Sequence, residues 1–171
     1  MKRILLFALL AFFIACDDGD LQIETLDFDG ASIQNCTAVS VETANIFFKL
    51  NDKEALILEL PSGALKNEVS TTEIEFAVSE SGPAKITYRI FSDKIAKNYF
   101  CDEIPLTEPA VIDEIIAKGG TVLITTTVKE DNKTFEHKIE LSSISLVTSD
   151  DSRITNLQID NFGTVTTILE E

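Results

Sequence analysis

The chain has 171 residues, of which 44% are hydrophobic and 25% are charged, and its formal net charge is −15. This length suits one domain with a substantial hydrophobic core. The composition argues against nucleic acid as a partner, because phosphate binding needs clustered lysine or arginine and the sequence contains no such cluster. Solubility and self-repulsion at a crowded surface are sufficient to explain the acidic excess.

Residues 1–15 predict a signal peptide, because Lys2 and Arg3 precede an unbroken apolar run from Ile4 to Ala15. That run is too short for a membrane-spanning helix, which needs about 20 apolar residues. Phe13 is too bulky for the −3 position of an ordinary signal peptidase site. The four residues that end at Cys16, "FIAC", resemble instead the lipobox of bacterial lipoproteins, although leucine is commoner at −3.

Cys16 is therefore expected to begin the mature chain and to carry a diacylglyceryl thioether, with a further acyl chain such as palmitate on its amino group. One acyl chain binds a bilayer only marginally, at about 0.8 kcal/mol per buried CH₂, whereas two or three anchor a protein stably. The alternative is a secreted protein that is cut after Ala11 and keeps Cys16 as a free thiol. An exposed unpaired thiol suits an oxidising compartment poorly.

Residues 16–22 are expected to form an acidic tether that contains Asp17, Asp18 and Asp20. Anionic lipid headgroups repel such a segment, so it extends away from the membrane. Acidic residues directly after the lipidated cysteine resemble the export signal of Bacteroidota lipoproteins, which implies display on the outer face of the outer membrane. In other Gram-negative groups Asp at this position can instead mean retention in the inner membrane. The periplasmic side of the outer membrane also remains an alternative.

Residues 23–171 are predicted to form one all-β domain, an antiparallel sandwich or barrel-like fold with one short α-helix. Apolar and polar residues alternate along most of it, and in "TEIEFAV" Ile74, Phe76 and Val78 share one face. The predicted strands are Leu21–Phe28, Ala38–Val41, Asn45–Leu50, Ala55–Leu60, Thr72–Val78, Lys85–Phe91, Thr121–Val128, Thr134–Leu141, Ile144–Thr148, Ile154–Ile159 and Thr164–Leu169.

The short helix is predicted from about Glu108 to Lys118. The apolar residues Val111, Ile112, Ile115 and Ile116 recur there with helical spacing. Thr107 is a plausible N-cap, Pro109 suits the first turn, and Gly119 suits the C-terminus.

Cys36 and Cys101 remain once Cys16 is assigned to the lipid. An exported chain with two further thiols is expected to pair them in a disulfide. Redox catalysis is disfavoured because neither cysteine belongs to a Cys-x-x-Cys motif. Metal ligation is disfavoured as well, because the chain has a single histidine.

That histidine, His137, shares one face of its predicted strand with Phe135, Ile139 and Leu141. It could act as a general base, but a half-buried histidine at the rim of the core is the simpler interpretation. No Gly-x-Ser-x-Gly elbow and no phosphate-binding glycine loop accompany it. The sequence therefore predicts no catalytic residues and no enzyme.

Calcium is the better ion hypothesis, though a weak one. Asp27 and Asp29 lie beside Gly30 in "DFDG", which places carboxylates next to a flexible glycine. The spacing does not complete an EF-hand, and a simple Asp-Gly turn explains the pattern equally well. No cofactor is expected.

The C-terminal part of the chain resembles a family of Bacteroidota outer-membrane or surface lipoproteins without an established activity. The resemblance comprises "CDEIPLTEP" (Cys101 to Pro109), an Ile-rich segment ending in "GG", then "VLITTTV" and "FEHKIEL". It covers Cys101 to about Thr167. It implies the same location and a single domain, and it assigns no functional residues.

The sequence thus predicts an envelope lipoprotein that contacts the membrane through its lipid and acts as a non-catalytic binding or accessory module for a protein or polymer ligand. The first alternative is a structural lipoprotein whose contacts are with neighbouring membrane proteins. A hydrolase built on paired carboxylates comes third.

Overall fold

The computed structural model describes residues 26–28, 30–148, 153–154 and 160–169. The proposed lipidation residue Cys16 and the acidic residues Asp17, Asp18 and Asp20 lie outside the described residues, as does the calcium candidate Asp29.

The described residues form an antiparallel β fold with one short helix, which confirms the predicted fold class. Strand β4 has the predicted bounds, and β1, β2, β3 and β8 differ from the predicted ranges by a few residues. The strands are β1 (Asn45–Asn51), β2 (Glu54–Leu60), β3 (Ile74–Ala77), β4 (Lys85–Phe91), β5 (Val111–Val128), β6 (Thr134–Val147), β7 (Arg153–Ile154) and β8 (Asn161–Ile168), and the helix is α1 (Asn98–Cys101).

The strands form one sheet in the order β1-β2-β4-β5-β6-β7, with β3 beside β5 and β8 beside β6. The sheet curls into a half-barrel. Strand β5 pairs with β4 through residues 111–116 and with β6 through residues 117–128, so it joins the two halves of the sheet. The register shifts around Gly119, and Gly120 has a φ of +123°, a conformation that favours glycine.

The half of the sheet that contains β1, β2 and β4 buries apolar side chains on both faces. Strand β2, "EALILEL", is therefore almost continuously apolar instead of alternating. Its inner face joins the main core, which includes Phe47, Leu56, Leu58, Ile86, Tyr88, Ile124 and Ile139. Its outer face belongs to a smaller cluster of Phe48, Ala55, Ile57, Phe91 and Ile95, against which α1 packs.

The segment that precedes β1 lies between β1 and β8. Gln34 exchanges two backbone hydrogen bonds with Phe48 of β1. On its other side, Ile33 lies so close to Gly163 of β8 that a Cβ there would be 3.1 Å from the Ile33 side chain. Leu26, Phe28 and Ile33 pack against the main core, so this segment closes the gap between β1 and β8.

A disulfide joins this segment to α1. The sulfur atoms of Cys36 and Cys101 are bonded, and the two Cα atoms are 5.1 Å apart. The predicted pairing is confirmed. It ties the segment that covers the sheet edge to the helix that covers the outer face.

The predicted helix from Glu108 to Lys118 is wrong, because residues 111–128 form strand β5. Adjacent residues of a strand point to opposite faces of the sheet. Ile115 is buried in the main core, and Ile116 lies opposite Thr87 on the outer face. β-branched side chains fit a sheet better than a helix. The only helix among the described residues lies earlier in the chain and has four residues.

The strand predicted at Ala38–Val41 is also wrong, since these residues have no strand conformation. The side chain of Asn45 takes the backbone bonds there: Ser40 N–H donates to Asn45 Oδ1 at 3.0 Å, and Asn45 Nδ2 donates to Ser40 O at 2.7 Å. Of the strand predicted at Leu21–Phe28, residues 26–28 are described and are not in a strand. The two strands predicted at Thr134–Leu141 and Ile144–Thr148 are one strand, β6.

The segment "KEDNK" (Lys129 to Lys133) is the turn of a hairpin, because the strands on either side of it, β5 and β6, pair antiparallel. Asp131 holds its turn, because its carboxylate accepts hydrogen bonds from Lys133 N–H and Thr134 N–H at 3.0 and 2.8 Å, and from the Thr134 hydroxyl at 2.6 Å. These bonds lower the pKa of Asp131 to about 2, because they favour the charged carboxylate.

Candidate functional site: a groove on the outer face of the sheet

A groove of about 440 Å³ lies on the outer face of β1, β2, β4 and the start of β5. We call it the outer-face groove. Tyr99 and Phe100 of helix α1 pack on the cluster around Phe48 and Phe91 at this face, whereas Ile46 is 56% exposed. The groove is lined by Cys36, Thr37, Ala44, Ile46, Phe48, Ile57, Glu59, Lys85, Thr87, Arg89, Phe100 and Glu114.

The floor of the groove is apolar and rigidly held. The ring of Phe48 stacks on Phe100 of α1, with centroids 4.6 Å apart and planes inclined by 26°. Ile57 and Thr87 stand opposite each other on β2 and β4 and are almost fully buried. Since Cys101 follows Phe100, the disulfide to Cys36 fixes the aromatic wall as well as the helix.

Two ion pairs stand above this floor. Lys85 Nζ lies 3.4 Å from Glu59 Oε1, and Arg89 Nε lies 2.5 Å from Glu114 Oε2. All four side chains are partly exposed, so each pair contributes only about 0–1 kcal/mol to the free energy of unfolding. Ion pairs this weak can exchange one partner for a charged group of a ligand, so the groove can bind apolar and charged groups together.

No site in β4 was predicted from the sequence, although the pattern of this strand shows which residues face the groove. The alternation in "KITYRIF" places Ile86, Tyr88 and Ile90 inward, which leaves Lys85, Thr87 and Arg89 on the outer face. Sequence reasoning missed the groove itself, because Glu59, Glu114 and Phe100 reach it from three other elements. The aromatic pair before Cys101 was the available signal for an outer cluster.

His137 lies on the inner face and is fully buried, more deeply than the predicted position at the rim of the core. Its Nδ1 is 2.9 Å from Thr126 Oγ1, and its Nε2 is 2.7 Å from Thr167 Oγ1. The Thr167 hydroxyl donates to Asn67 Oδ1 at 2.5 Å. Since a hydroxyl has one proton, Thr167 accepts from His137 Nε2–H, and Nδ1 accepts from Thr126.

Burial lowers the pKa of His137 to about 4, because the charged imidazolium loses its hydration in the core. The ring is therefore neutral near pH 7. Both nitrogens are bonded to threonine hydroxyls, which orient the ring and join β5, β6 and β8. The arrangement is that of a structural histidine, separate from the outer-face groove.

The calcium candidate Asp27 is exposed, and its backbone carbonyl accepts a hydrogen bond from Asn51 Nδ2 at 2.9 Å. Within residues 26–28, 30–148, 153–154 and 160–169, no three His, Cys, Asp or Glu side chains are grouped closely enough to hold a metal ion. The other calcium candidate, Asp29, lies outside the described residues.

Lys49 is a buried charged residue that the sequence reasoning did not single out. Its side chain is 4% exposed, and its Nζ lies 6.0 Å from the centroid of the Phe162 ring. It shares the inner face of β1 with Phe47, so the signal was a lysine at an inward position of an alternating strand. An inward charge near a sheet edge disfavours pairing with another chain.

Comparisons with known proteins do not assign the chain to a family. No family model matches the chain, and neither the curated proteins nor the solved structures contain a match to it. In the part of the chain that the structure describes, no helix has the length and hydrophobicity needed to cross a bilayer.

Proposed function

We propose that this protein is a lipid-anchored, non-catalytic binding module of the cell envelope, whose partner occupies the outer-face groove. The groove is the observation that carries this proposal. It combines an open apolar floor with two exchangeable ion pairs, on a face held by a disulfide. Pockets that bind ligands are typically concave, mostly apolar and furnished with a few polar groups.

The anchor supports the same function from the sequence. "FIAC" ends in Cys16, and the acidic residues Asp17, Asp18 and Asp20 follow directly. In this proposal the acyl chains on Cys16 hold the protein in the outer membrane, and the acidic tether separates the β domain from the headgroups. The groove then faces partners at the cell surface.

A binding role accounts for the site better than catalysis does. The groove lining contains two acid–base pairs, each already satisfied across the sheet. His137, the chain's single histidine, is enclosed by two threonines on the opposite face of the fold. A general base must come within hydrogen-bond reach of a substrate proton, and the buried ring does not meet the groove.

The anchor is tested by fractionating cells that express the wild-type chain or the Cys16→Ser variant. We expect the wild type to sediment with membranes and the variant to be released, because the diacylglyceryl group attaches through the sulfur. Protease treatment of intact cells then tests display, and the β domain should be cleaved or shed. A variant that sediments as the wild type does would contradict the anchor, and full protection from protease would contradict surface display.

The groove is tested by a photo-crosslinking residue placed at Ile46, which is 56% exposed on the groove rim. The matched control is the same residue at Ile168, which is 66% exposed and does not line the groove. In intact cells we expect a discrete adduct from position 46 and none from position 168. Equal adducts from both positions would show that the contact is not specific to the groove.

The crosslinked partner also separates the proposal from its alternatives. A soluble protein or a polymer bound through position 46 supports the binding module. A resident membrane protein as the sole adduct would instead favour a structural or envelope-assembly lipoprotein.

A further inference from the structure

Within the described part of the chain, the first third of β5 has a paired strand on only one side. Residues 111–116 pair with β4, from Val111 opposite Phe91 to Ile116 opposite Thr87. Pairing with β6 begins at Ala117. Among the described residues, no strand pairs with the second edge of residues 111–116.

This edge is long enough to pair with another strand. Six residues in extended conformation span about 20 Å. Unpaired strand edges present a row of N–H and C=O groups that can pair with an incoming chain. Many recognition domains bind an extended peptide in this way, with alternate side chains directed to the two faces.

Apolar side chains are exposed along and before this edge. Val111 and Ile112 are 40% and 66% exposed, and Ile104 in the preceding loop is 80% exposed. They are three of the seven large hydrophobic residues exposed in the described part of the chain. Apolar side chains next to an unpaired edge indicate a surface that a partner covers.

The charge of this region indicates the chemistry of the partner. Residues 98–117 contain no lysine or arginine. They carry five carboxylates. One of these, the carboxylate of Glu114, forms an ion pair with Arg89 of β4. The five are Asp102, Glu103, Glu108, Asp113 and Glu114.

We propose that the free edge of β5 receives an extended, lysine- or arginine-bearing segment of a partner protein, which adds to the sheet as a further strand. Backbone hydrogen bonds to residues 111–116 hold the segment. Its apolar side chains cover Val111 and Ile112, and its cationic side chains lie beside Asp113 and the carboxylates of the preceding loop. The inference rests on the proposed function, since it names the partner class for the outer face on which Ile112 and Glu114 stand.

A second copy of this chain is a poorer occupant. It would bring the same Asp113 and Glu114 against themselves, and the whole chain carries a net charge of −15. Like charges placed opposite each other across a pair of strands are destabilising. A basic segment meets the same edge with opposite charge.

The test uses the full mature chain in detergent and a short synthetic peptide in which lysine alternates with valine. We expect binding that weakens with added salt, and slowed hydrogen exchange at those amides of residues 111–116 that do not bond to β4. Two control peptides keep the length. One carries N-methyl groups on alternate backbone nitrogens, and the other has glutamate in place of lysine.

Charge-reversal variants provide the matched comparison. Asp113→Lys together with Glu108→Lys should weaken binding by at least about tenfold. Glu73→Lys together with Glu75→Lys, which places the same charge change at and just before the short edge strand β3, should leave the affinity unchanged. Both double variants should unfold cooperatively, which shows that lost binding is not lost folding.

Several results would overturn this inference. These are equal affinity for the N-methylated peptide, protection that does not include residues 111–116, or a peptide-free dimer in which the same amides are already protected. If the peptide fails while the crosslink from Ile46 persists, only the strand-addition inference falls. If both fail, the proposed binding function falls as well.

Discussion

His137 Nε2 and Thr167 Oγ1 are 2.7 Å apart in the core, and this contact joins β6 to β8. The Thr167 hydroxyl donates a hydrogen bond to Asn67 Oδ1, so the histidine is linked through one hydroxyl to the loop before β3. The described contacts of the ring are to hydroxyl groups on both sides. The two hydroxyls satisfy a neutral imidazole, and a charged ring would lose its hydration in the core, which has a measurable consequence for stability.

We expect the free energy of unfolding to fall as the pH is lowered from about 6.5 to about 4. The pKa of His137 is about 4 in the folded chain, whereas an ordinary histidine, as in the unfolded chain, has a pKa of 6.5. Between these two values the unfolded chain binds one more proton than the folded chain. The lost stability amounts to at most about 3 kcal/mol. Urea unfolding across this pH range measures it.

A His137→Gln variant supplies the control for that titration. Glutamine retains a donor and an acceptor but does not ionise, so the pH slope between 6.5 and 4 should flatten. Asp131 does not interfere in this window. The stability that its lowered pKa contributes is lost only as the pH falls from the ordinary pKa of 3.8 toward about 2. An unchanged slope in the glutamine variant would contradict the role assigned to His137.

The disulfide should stabilise the fold strongly, because it closes a loop between cysteines 65 positions apart. In the chain-entropy model a loop of this length contributes roughly 4 kcal/mol. The double variant Cys36→Ser and Cys101→Ser should lower the midpoint of denaturant unfolding accordingly. Reduction of the wild type should reproduce the loss, and reductant should have no effect on the variant; a midpoint insensitive to both changes would refute the prediction.

Substitution by alanine should destabilise the fold at one of two adjacent glycines in β5 and have little effect at the other. At Gly120 a Cβ would lie 2.5 Å from Ile144 Cδ1 and 2.8 Å from Ile144 Cα, and the residue has a φ of +123°. Gly120→Ala is therefore expected to cost about 3 kcal/mol through strain and overpacking. At Gly119 a Cβ would meet nothing within 4 Å, so Gly119→Ala should change stability by no more than about 0.5 kcal/mol.

Calorimetric or denaturant unfolding of the two alanine variants decides this comparison. Similar losses at both positions would mean that a general preference for glycine in this stretch, and not contact with Ile144, explains the pair.

Reversal of a charge in the groove should affect binding more than stability. Arg89→Glu places two carboxylates together and removes a cation from the groove, so the crosslink from Ile46 should be lost. The pair with Glu114 is partly exposed, so stability should fall by only about 1 kcal/mol. Lys138→Glu, which breaks an exposed pair with Glu140 on β6, should keep the crosslink. Loss of the crosslink in both variants would argue against a specific groove.

Local patterns in the sequence determined much of this fold. Alternation of apolar and polar residues placed β4 within its observed bounds and put His137 on the inner face, although the structure buries it more deeply than the predicted rim position. The two cysteines left after Cys16 had one partner each, so their pairing followed from counting. Such features depend on neighbouring residues or on simple exclusion, and the sequence alone contains both.

The tertiary structure decided the pairing of the strands and the position of the groove, because both depend on residues that are far apart in the chain. The spacing of Val111, Ile112, Ile115 and Ile116 fits a helix or a strand buried on two faces, and the pairing with β4 selects the strand. The outer-face groove forms only where α1 stops short of Ile46 and where Glu59 and Glu114 meet cations of β4. Which strand pairs with which, and what covers the second face of the sheet, are set by long-range packing that no local pattern specifies.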